Sequence, residues 1–555
     1  MTSIRRPFHV LVGVLFILAL LAAAAVSGAP SEQIIYVDHE ATGANDGSSW
    51  ADAYTGLQDA LAEARTGDEI WVARGVYYPA PDAADRNATF ELVDGVALYG
   101  GFAGTETERE QRNWLGRLTV LSGDLDRNDE TDEHGVVTDP ANIVGDNAYH
   151  VVTGSGIGAT AVLDGFVVTA GLADGSGTQG VGGGMNNAGS SPSLFNVTFR
   201  GNRATWCGGM RNYESSPALT NVVFFGNQAS VHGGGVCNDQ NSHPTLTAVT
   251  FIQNLAGSAG GMHNHASSPT LTGVTFSHNG ATIDGGGMRN AADSRPTLTD
   301  VTFSRNHAGS GGGGMFNGHS SPALTGVTFD GNTASLGGGM RNSGSSPMLI
   351  NVVFTDNRAS QGGGMNNWEG SPTLINVVFS GNTGGVGGGG MYNDQSDPAL
   401  INVTFSGNAA GAGSGGGLFN FQSSNPTLVN TILWGNAAQS GGQQIHNEGG
   451  SAPSVTYSLV QGGYPGEGNI DADPLFVDPV SAGQAPTTDG DYRLSEGSPA
   501  IDAGNNNVVT VDMDLDGYAR IADGTGDGNV IVDMGAYEFP VRFRTVYLPV
   551  VLTDG

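Results

Sequence analysis

The alternation of apolar and polar positions is the first regularity of this chain. Segments such as Pro269-Thr270-Leu271-Thr272 and Val274-Thr275-Phe276 turn every second side chain toward an apolar setting, as short strands do when one face meets a core and the other meets water. From Gly182 to Asn447 these strands belong to a repeating unit, approximately GGGM-x-N-x(3-4)-SP-x-L-x-x-V-x-F-x-x-N. Its apolar anchor stands at Met185, Met210, Val236, Met262, Met288, Met315, Met340, Met365, Met391, Leu418 and Ile445, at intervals of 25 to 27 residues. Strands this short cannot bury a face alone, so consecutive units must stack. With about three strands per unit, the period predicts one coil of a parallel β-helix, its interior filled by columns of Leu, Val, Phe and Met.

Polar residues keep the same register. Two positions after the anchors stand Asn187, Asn212, Asn238, Asn264, Asn290, Asn317, Asn342, Asn367, Asn393, Asn420 and Asn447. An amide repeated at one corner of every coil can bond to its copies above and below, which predicts an internal ladder. A second column follows the Phe positions at Asn202, Asn254, Asn279, Asn306, Asn332, Asn357, Asn382, Asn408 and Asn436. Both columns are read as structural. The glycine triplets supply the tight bends between faces. Near the start, Leu57, Leu61 and Ala64 form an apolar stripe at helical spacing, predicting a short helix near residues 57 to 65 that covers the open end of the core.

Composition narrows the class. Of 555 residues 90 are Gly, and hydrophobic residues make up 38%, which excludes a helical bundle or a membrane transporter and disfavours a conventional α/β enzyme. The net charge is -32, and every basic residue is Arg. This balance argues against nucleic acid or an anionic membrane as partner, and the lack of Lys removes lysine chemistry. Arg5 and Arg6, the apolar run Val10 to Val26 and Ser27-Gly28-Ala29 read as an export signal over residues 1–29.

The GGGM and FxxN motifs resemble the repeats of chlamydial polymorphic outer-membrane proteins, with Gly where that family has Ala. The stretch after the last repeat lacks barrel-type strands, so no integral membrane barrel is expected. Ile34-Ile35-Tyr36-Val37, Asn45 to Trp50, Leu57 to Ala64 and Gly67 to Val72 resemble the N-terminal cap of pectin-lyase-like β-helix proteins. Asp473-Pro474-Leu475-Phe476, Asp491 to Leu494, Ser498 to Gly504 and Asp533 to Glu538 resemble the choice-of-anchor module of secreted bacterial proteins. Together they imply a right-handed, single-stranded parallel β-helix. The expected division is signal 1–29, cap and irregular early coils 30–172, regular repeats 173–450, C-terminal coils and a closing module 451–540, and a tail 541–555.

Candidate chemistry is sparse. Asp512, Asp514 and Asp516, with Gly517 and Asp523, follow the spacing of a calcium loop, although Asp stands where Glu is usual. Asp124, Asp126 and Asn128 are a poorer version. Ca²⁺ is thus the one cofactor candidate, and none is required by the fold. The position after each anchor should face outward and holds Arg211, Cys237, His263, Arg289, Phe316, Arg341 and Tyr392 among others; two residues on lie Tyr213, Trp368 and Phe421. Arg211, Arg289, Arg341, Trp368, Tyr392 and Phe421 are the expected ligand-binding residues, through stacking and bidentate hydrogen bonds.

No catalytic constellation is visible. The expected role is a non-catalytic, cell-surface or extracellular rod, monomeric, contacting a glycan or a surface protein. The alternative is a polysaccharide lyase or glycoside hydrolase, which the pectin-lyase-like resemblance implies. A remote alternative is ice binding, from the outward pairs Thr245/Thr247, Thr270/Thr272 and Thr297/Thr299. Cys207 and Cys237 occupy different repeat positions, which disfavours a disulfide between them.

Overall fold

A computed structural model describes residues 33–81 and 85–540; the segment 1–29, expected to be an export signal, and the tail 541–555 lie outside the described residues. The chain is a right-handed parallel β-solenoid. One face is a 13-stranded parallel sheet running from Phe90–Glu91 to Ile445–Asn447, and it carries the anchors. A 26-stranded sheet carries the Leu and Phe strands, and short strands of the Arg203–Ala204 type form the remaining side. Register is kept from coil to coil: Met185 pairs with Met210, Met210 with Val236, and Met288 with Met315.

Both asparagine ladders exist. From Asn187 to Asn447, each Nδ2 donates to the Oδ1 of the next coil at 2.8–2.9 Å. In the second column Asn227 joins the residues recognised from the repeat, donating to Asn254 Oδ1 at 3.0 Å and to the Phe199 carbonyl at 2.9 Å. Beside it, Phe199, Phe224, Phe251, Phe276, Phe303, Phe329, Phe354, Phe379 and Phe405 stack at 4.6–4.9 Å between ring centroids. That distance is the spacing of neighbouring strands, so the ring stack and the ladders follow from one translation. Apolar columns exclude water, and the amides satisfy each other inside them.

The cap helix spans Leu57–Glu63, two residues shorter than the pattern predicts, because Ala64 turns extended. It buries Leu57, Ala60 and Leu61 against the first strands.

The C-terminal segment is where expectation and structure part. Instead of closing the end of the rod, most of residues 476–539 lie along its flank. The last coil ends with Ser454–Thr456 and Leu459–Val460. The open end is covered by the following loop, where Tyr464 packs on the core and its hydroxyl accepts from Asn447 Nδ2 at 3.2 Å. Phe476, Tyr492, Leu494, Ile501, Met534 and Phe539 then form a second core against Val378, Ile432 and Leu459. Asn376 Nδ2 donates to the Met513 carbonyl at 2.8 Å, and the Ala536 N–H donates to Thr404 Oγ1 at 3.0 Å. The cause is one outward column, in which Thr302 and Thr328 give way to Val353 and Val378. Apolar side chains on the outside of a sheet need a cover.

Candidate functional site

Along each anchor strand the inward anchor and Asn alternate with two outward positions. Parallel in-register pairing stacks the first outward position into the column Asn186, Arg211, Cys237, His263, Arg289, Phe316, Arg341, Asn366, Tyr392, Phe419 and His446. The second forms a parallel column that includes Tyr213, Asp239, His265, Trp368, Asp394 and Phe421. All six expected ligand-binding residues therefore lie on one strip along the rod.

The strip is less open than alternation alone suggests. Phe316, Tyr392 and Phe419 are buried, whereas Trp368 stays 41% exposed. The first column is tucked against the corner made by the glycine triplets, and His232, which precedes one triplet, leans on it. His232 stacks on His263 with centroids 4.6 Å apart, and Trp206 meets His232 edge-on at 5.0 Å. Trp206, His232 and Asp284 are site residues that the sequence reading missed. Their signal was present: the residue before each triplet varies widely while the triplet barely changes.

The charged groups of the strip are only partly matched. Arg211 lies over the Tyr213 ring at 4.6 Å and 3.9 Å from Asp239. Arg289 and Arg341 flank Phe316, each guanidinium 5.6 Å from the ring centroid. Burial lowers the pKa of both arginines and the charge of Asp284 opposes it. His232 is pushed down to about 4 by burial and by Arg289, and fully buried His263 is driven well below 6.5 by burial first. Both imidazoles are therefore neutral at pH 7. Nε of Arg289 and Arg341, Oδ1 of Asp284 and Nδ1 of His232 and His263 are buried without a hydrogen-bond partner among the described residues.

Cys207 and Cys237 form a disulfide, with Cα atoms 5.3 Å apart, which corrects the expectation drawn from their unlike repeat positions. Cys207 replaces the first glycine of a triplet at φ +62°. That corner abuts the first strip column: a Cβ added at the equivalent Gly233 would lie 2.4 Å from Cys237 Sγ. Unlike repeat positions are thus neighbours across the corner.

The calcium-loop carboxylates do not converge. Asp514 is buried; its Oδ1 accepts from the N–H groups of Asp516 and Tyr518, and its Oδ2 from Glu538 N–H. Asp516 holds Arg493, and Asp523 accepts the N–H groups of Gly526, Asp527 and Gly528. Asp512 contributes its main-chain carbonyl to Arg520 N–H. Asp124 likewise accepts the N–H groups of Asn128 and Asp129. Among the described residues no group of three or more His, Cys, Asp or Glu side chains is placed to hold a metal ion. These carboxylates tie their own loops together, the common use of Asp in turns. The threonine pairs do stack in register and continue to Thr325, but Ile350 ends that column.

Residues 221–239 match the model of the Chlamydia polymorphic membrane protein (Chlamydia_PMP) repeat, over the stretch that holds Phe224, Asn227 and the triplet Gly233 to Gly235. No curated protein matches the sequence. Among solved structures, the pectate lyase Pel9A is similar at 12% identity over 93% of this chain and 98% of its own, with a TM-score of 0.29. The A-module of the mannuronan C-5 epimerase AlgE6 of Azotobacter vinelandii is similar at 14% identity over 71% of this chain and 93% of its own, with a TM-score of 0.32. The polygalacturonase from Erwinia carotovora ssp. carotovora is similar at 10% identity over 79% of this chain and 99% of its own, with a TM-score of 0.24. None of these likenesses carries an argument about what the present chain does.

Proposed function

We propose that the chain is an exported, cell-surface or extracellular rod that binds glycans without cleaving them. The observation that supports this reading is the strip, where Arg211, Arg289 and Arg341 share two adjacent columns with the partly exposed rings of Tyr213, Trp368 and Phe421. Side chains of one column repeat at about 4.8 Å along the rod, so an extended sugar chain lying parallel to the axis meets several of them at once. Rings offer apolar faces to sugar C–H groups, and guanidinium groups offer paired donors to hydroxyls. A net charge of -32 repels polyanions over long range, which favours an uncharged polymer. That the solenoid closes its own core supports a monomeric rod.

The test is incubation of the mature protein with plant, algal and bacterial polysaccharides in the presence of Ca²⁺, scoring retention together with new reducing ends or unsaturated products. Retention without products is the expected result, weakened about three- to tenfold in Trp368→Ala by loss of one stacked ring. Products that vanish when one carboxylate is neutralised would replace the proposal with a lyase or hydrolase.

A further inference from the structure

We propose that protons fasten the C-terminal module to the rod: the closed module holds them on Asp533 and Glu538, and it comes away from the flank as the pH rises. This device goes beyond the glycan-binding reading and does not depend on it. One of the module's seams with the rod is the short segment that starts at Asp533. Asn402 Nδ2 donates to the Asp533 carbonyl at 3.2 Å, the Gly535 N–H donates to the Asn430 carbonyl at 2.8 Å, and the Ala536 N–H donates to Thr404 Oγ1 at 3.0 Å. Arg520 holds the same segment from behind. Its Nη2 donates to the carbonyls of Asp533 and Gly535, both at 3.1 Å, and its Nη1 lies 3.2 Å from Glu538 Oε1. Water is kept out: Asp514, Arg520 and Asp533 are each 1% exposed, and Glu538 is 4% exposed.

Three carboxyl groups therefore share one guanidinium. Asp514 takes the N–H groups of Asp516, Tyr518 and Glu538. Asp533 accepts from the N–H groups of Asp502 at 2.7 Å and Phe539 at 2.6 Å, and Glu538 accepts from the Asp533 N–H at 3.1 Å. With all three ionised, two negative charges would stand away from water with no cation to neutralise them, which is costly. A proton removes the charge and keeps the shape. Burial accordingly raises Asp533 to about 7, against its N–H bonds, and Glu538 to about 9, against Arg520. Asp502 also faces Asp533, and its carboxylate accepts from the N–H groups of Gly524 and Thr525. From the rod, the facing groups Asn402, Thr404 and Asn430 do not titrate. Opening the module puts both carboxyl groups in water, where they ionise near pH ~4. The closed state thus keeps its advantage at low pH and loses it as the pH climbs through about 7 and then about 9. The loss is about tenfold per pH unit for each proton released.

The experiment takes the full-length mature protein from about pH 6 to about pH 10, the range over which both protons leave. Subtilisin digestion, normalised to an unfolded substrate at each pH, follows release of residues 476–539. The dye ANS follows the apolar column of Val378, Ile432 and Leu459 that release lays bare, and circular dichroism follows the coils. Cleavage within the module should speed up at least about tenfold across the range, ANS fluorescence should rise with it, and the β signal of the coils should hold. Glu538→Gln and Asp533→Asn copy the protonated side chains without their titration, so the double variant should change by less than about twofold. The infrared band of a protonated carboxyl group, present in the wild type at the acid end and gone at the alkaline end, reports on the protons themselves even where a variant misfolds. A wild-type module equally resistant throughout, an unchanged profile in the folded double variant, or absence of that band at the acid end would overturn the proposal.

Discussion

Replacing Asn306 by Ala measures what the internal ladders contribute. Asn306 is wholly buried. Its Nδ2 donates to the Phe276 carbonyl at 2.9 Å and to Asn332 Oδ1 at 3.0 Å, and its Oδ1 accepts from the N–H and Nδ2 of Asn279, both at 3.0 Å. Alanine removes all four bonds and leaves the Asn279 N–H without its partner in the interior. At about 1 kcal/mol net per bond the loss is about 4 kcal/mol, and the orphaned main-chain N–H raises it toward ~5 kcal/mol. A water entering the vacated space recovers part of that, so about 4–5 kcal/mol is the expected cost. Thr272→Ala, on the exposed outer face of the neighbouring strand, should change stability by no more than about 0.5 kcal/mol. Urea unfolding gives both values, and native-state hydrogen exchange localises the first: protection at the Asn279 amide, which bonds to Asn306 Oδ1, should fall before that of distant coils. A cost for Asn306→Ala below 1 kcal/mol would refute the argument that the buried amides hold the coils in register.

Four further outcomes are expected. The Cys207→Gly/Cys237→Ser pair opens a cross-link spanning 30 residues, worth about 3–4 kcal/mol on the loop-closure account; glycine at the positive-φ corner returns about 1 kcal/mol, so urea unfolding should show a net loss of about 2–3 kcal/mol, and a neutral result would deny the staple its role. His232 has its pKa lowered from 6.5 to about 4, so the unfolded chain takes up the proton first; stability held above pH 6.5 should be lost as pH falls toward 4, and the decline should be reduced in His232→Gln, whereas an unchanged pH profile in that variant would contradict it. Val378→Asp places a carboxylate in the second core at a cost of about 3 kcal/mol or more, so limited proteolysis should release residues 476–539 while the coils survive; a wild-type digest would contradict the flank packing. EDTA should leave the melting temperature unchanged, since Asp514 and Asp523 are engaged by main-chain N–H groups, and a clear drop would restore a cation to that loop.

Much of the fold is legible in the chain because a solenoid turns sequence period into spatial adjacency. Once Met288 lies on Met315, Asn290 must lie on Asn317 and Arg289 on Phe316; the ladders, the ring stack and the membership of the strip all follow from one translation. The cap helix was readable for a local reason, the spacing of Leu57 and Leu61. The strip's composition was readable too, since Arg211, Arg289, Arg341, Trp368, Tyr392 and Phe421 needed only strand alternation to be placed on one face.

What the period does not encode is contact between unlike positions. The Cys207–Cys237 bond crosses a corner whose angle is set by glycine backbone in a left-handed conformation, and no repeat position announces that proximity. The same corner buries Phe316 and brings Asp284, two coils away, toward Arg341. The C-terminal module meets the rod through pairs such as Asn376 with Met513 and Thr404 with Ala536, more than 130 residues apart, and Asp514 is surrounded by N–H groups that include a residue 24 positions on. The sequence by itself determined the coil, because stacking repeats one local geometry at a constant strand spacing. Only the tertiary structure decided where the coils bend, what covers their outer face and which carboxylates are already occupied, because those contacts form between segments that share no period.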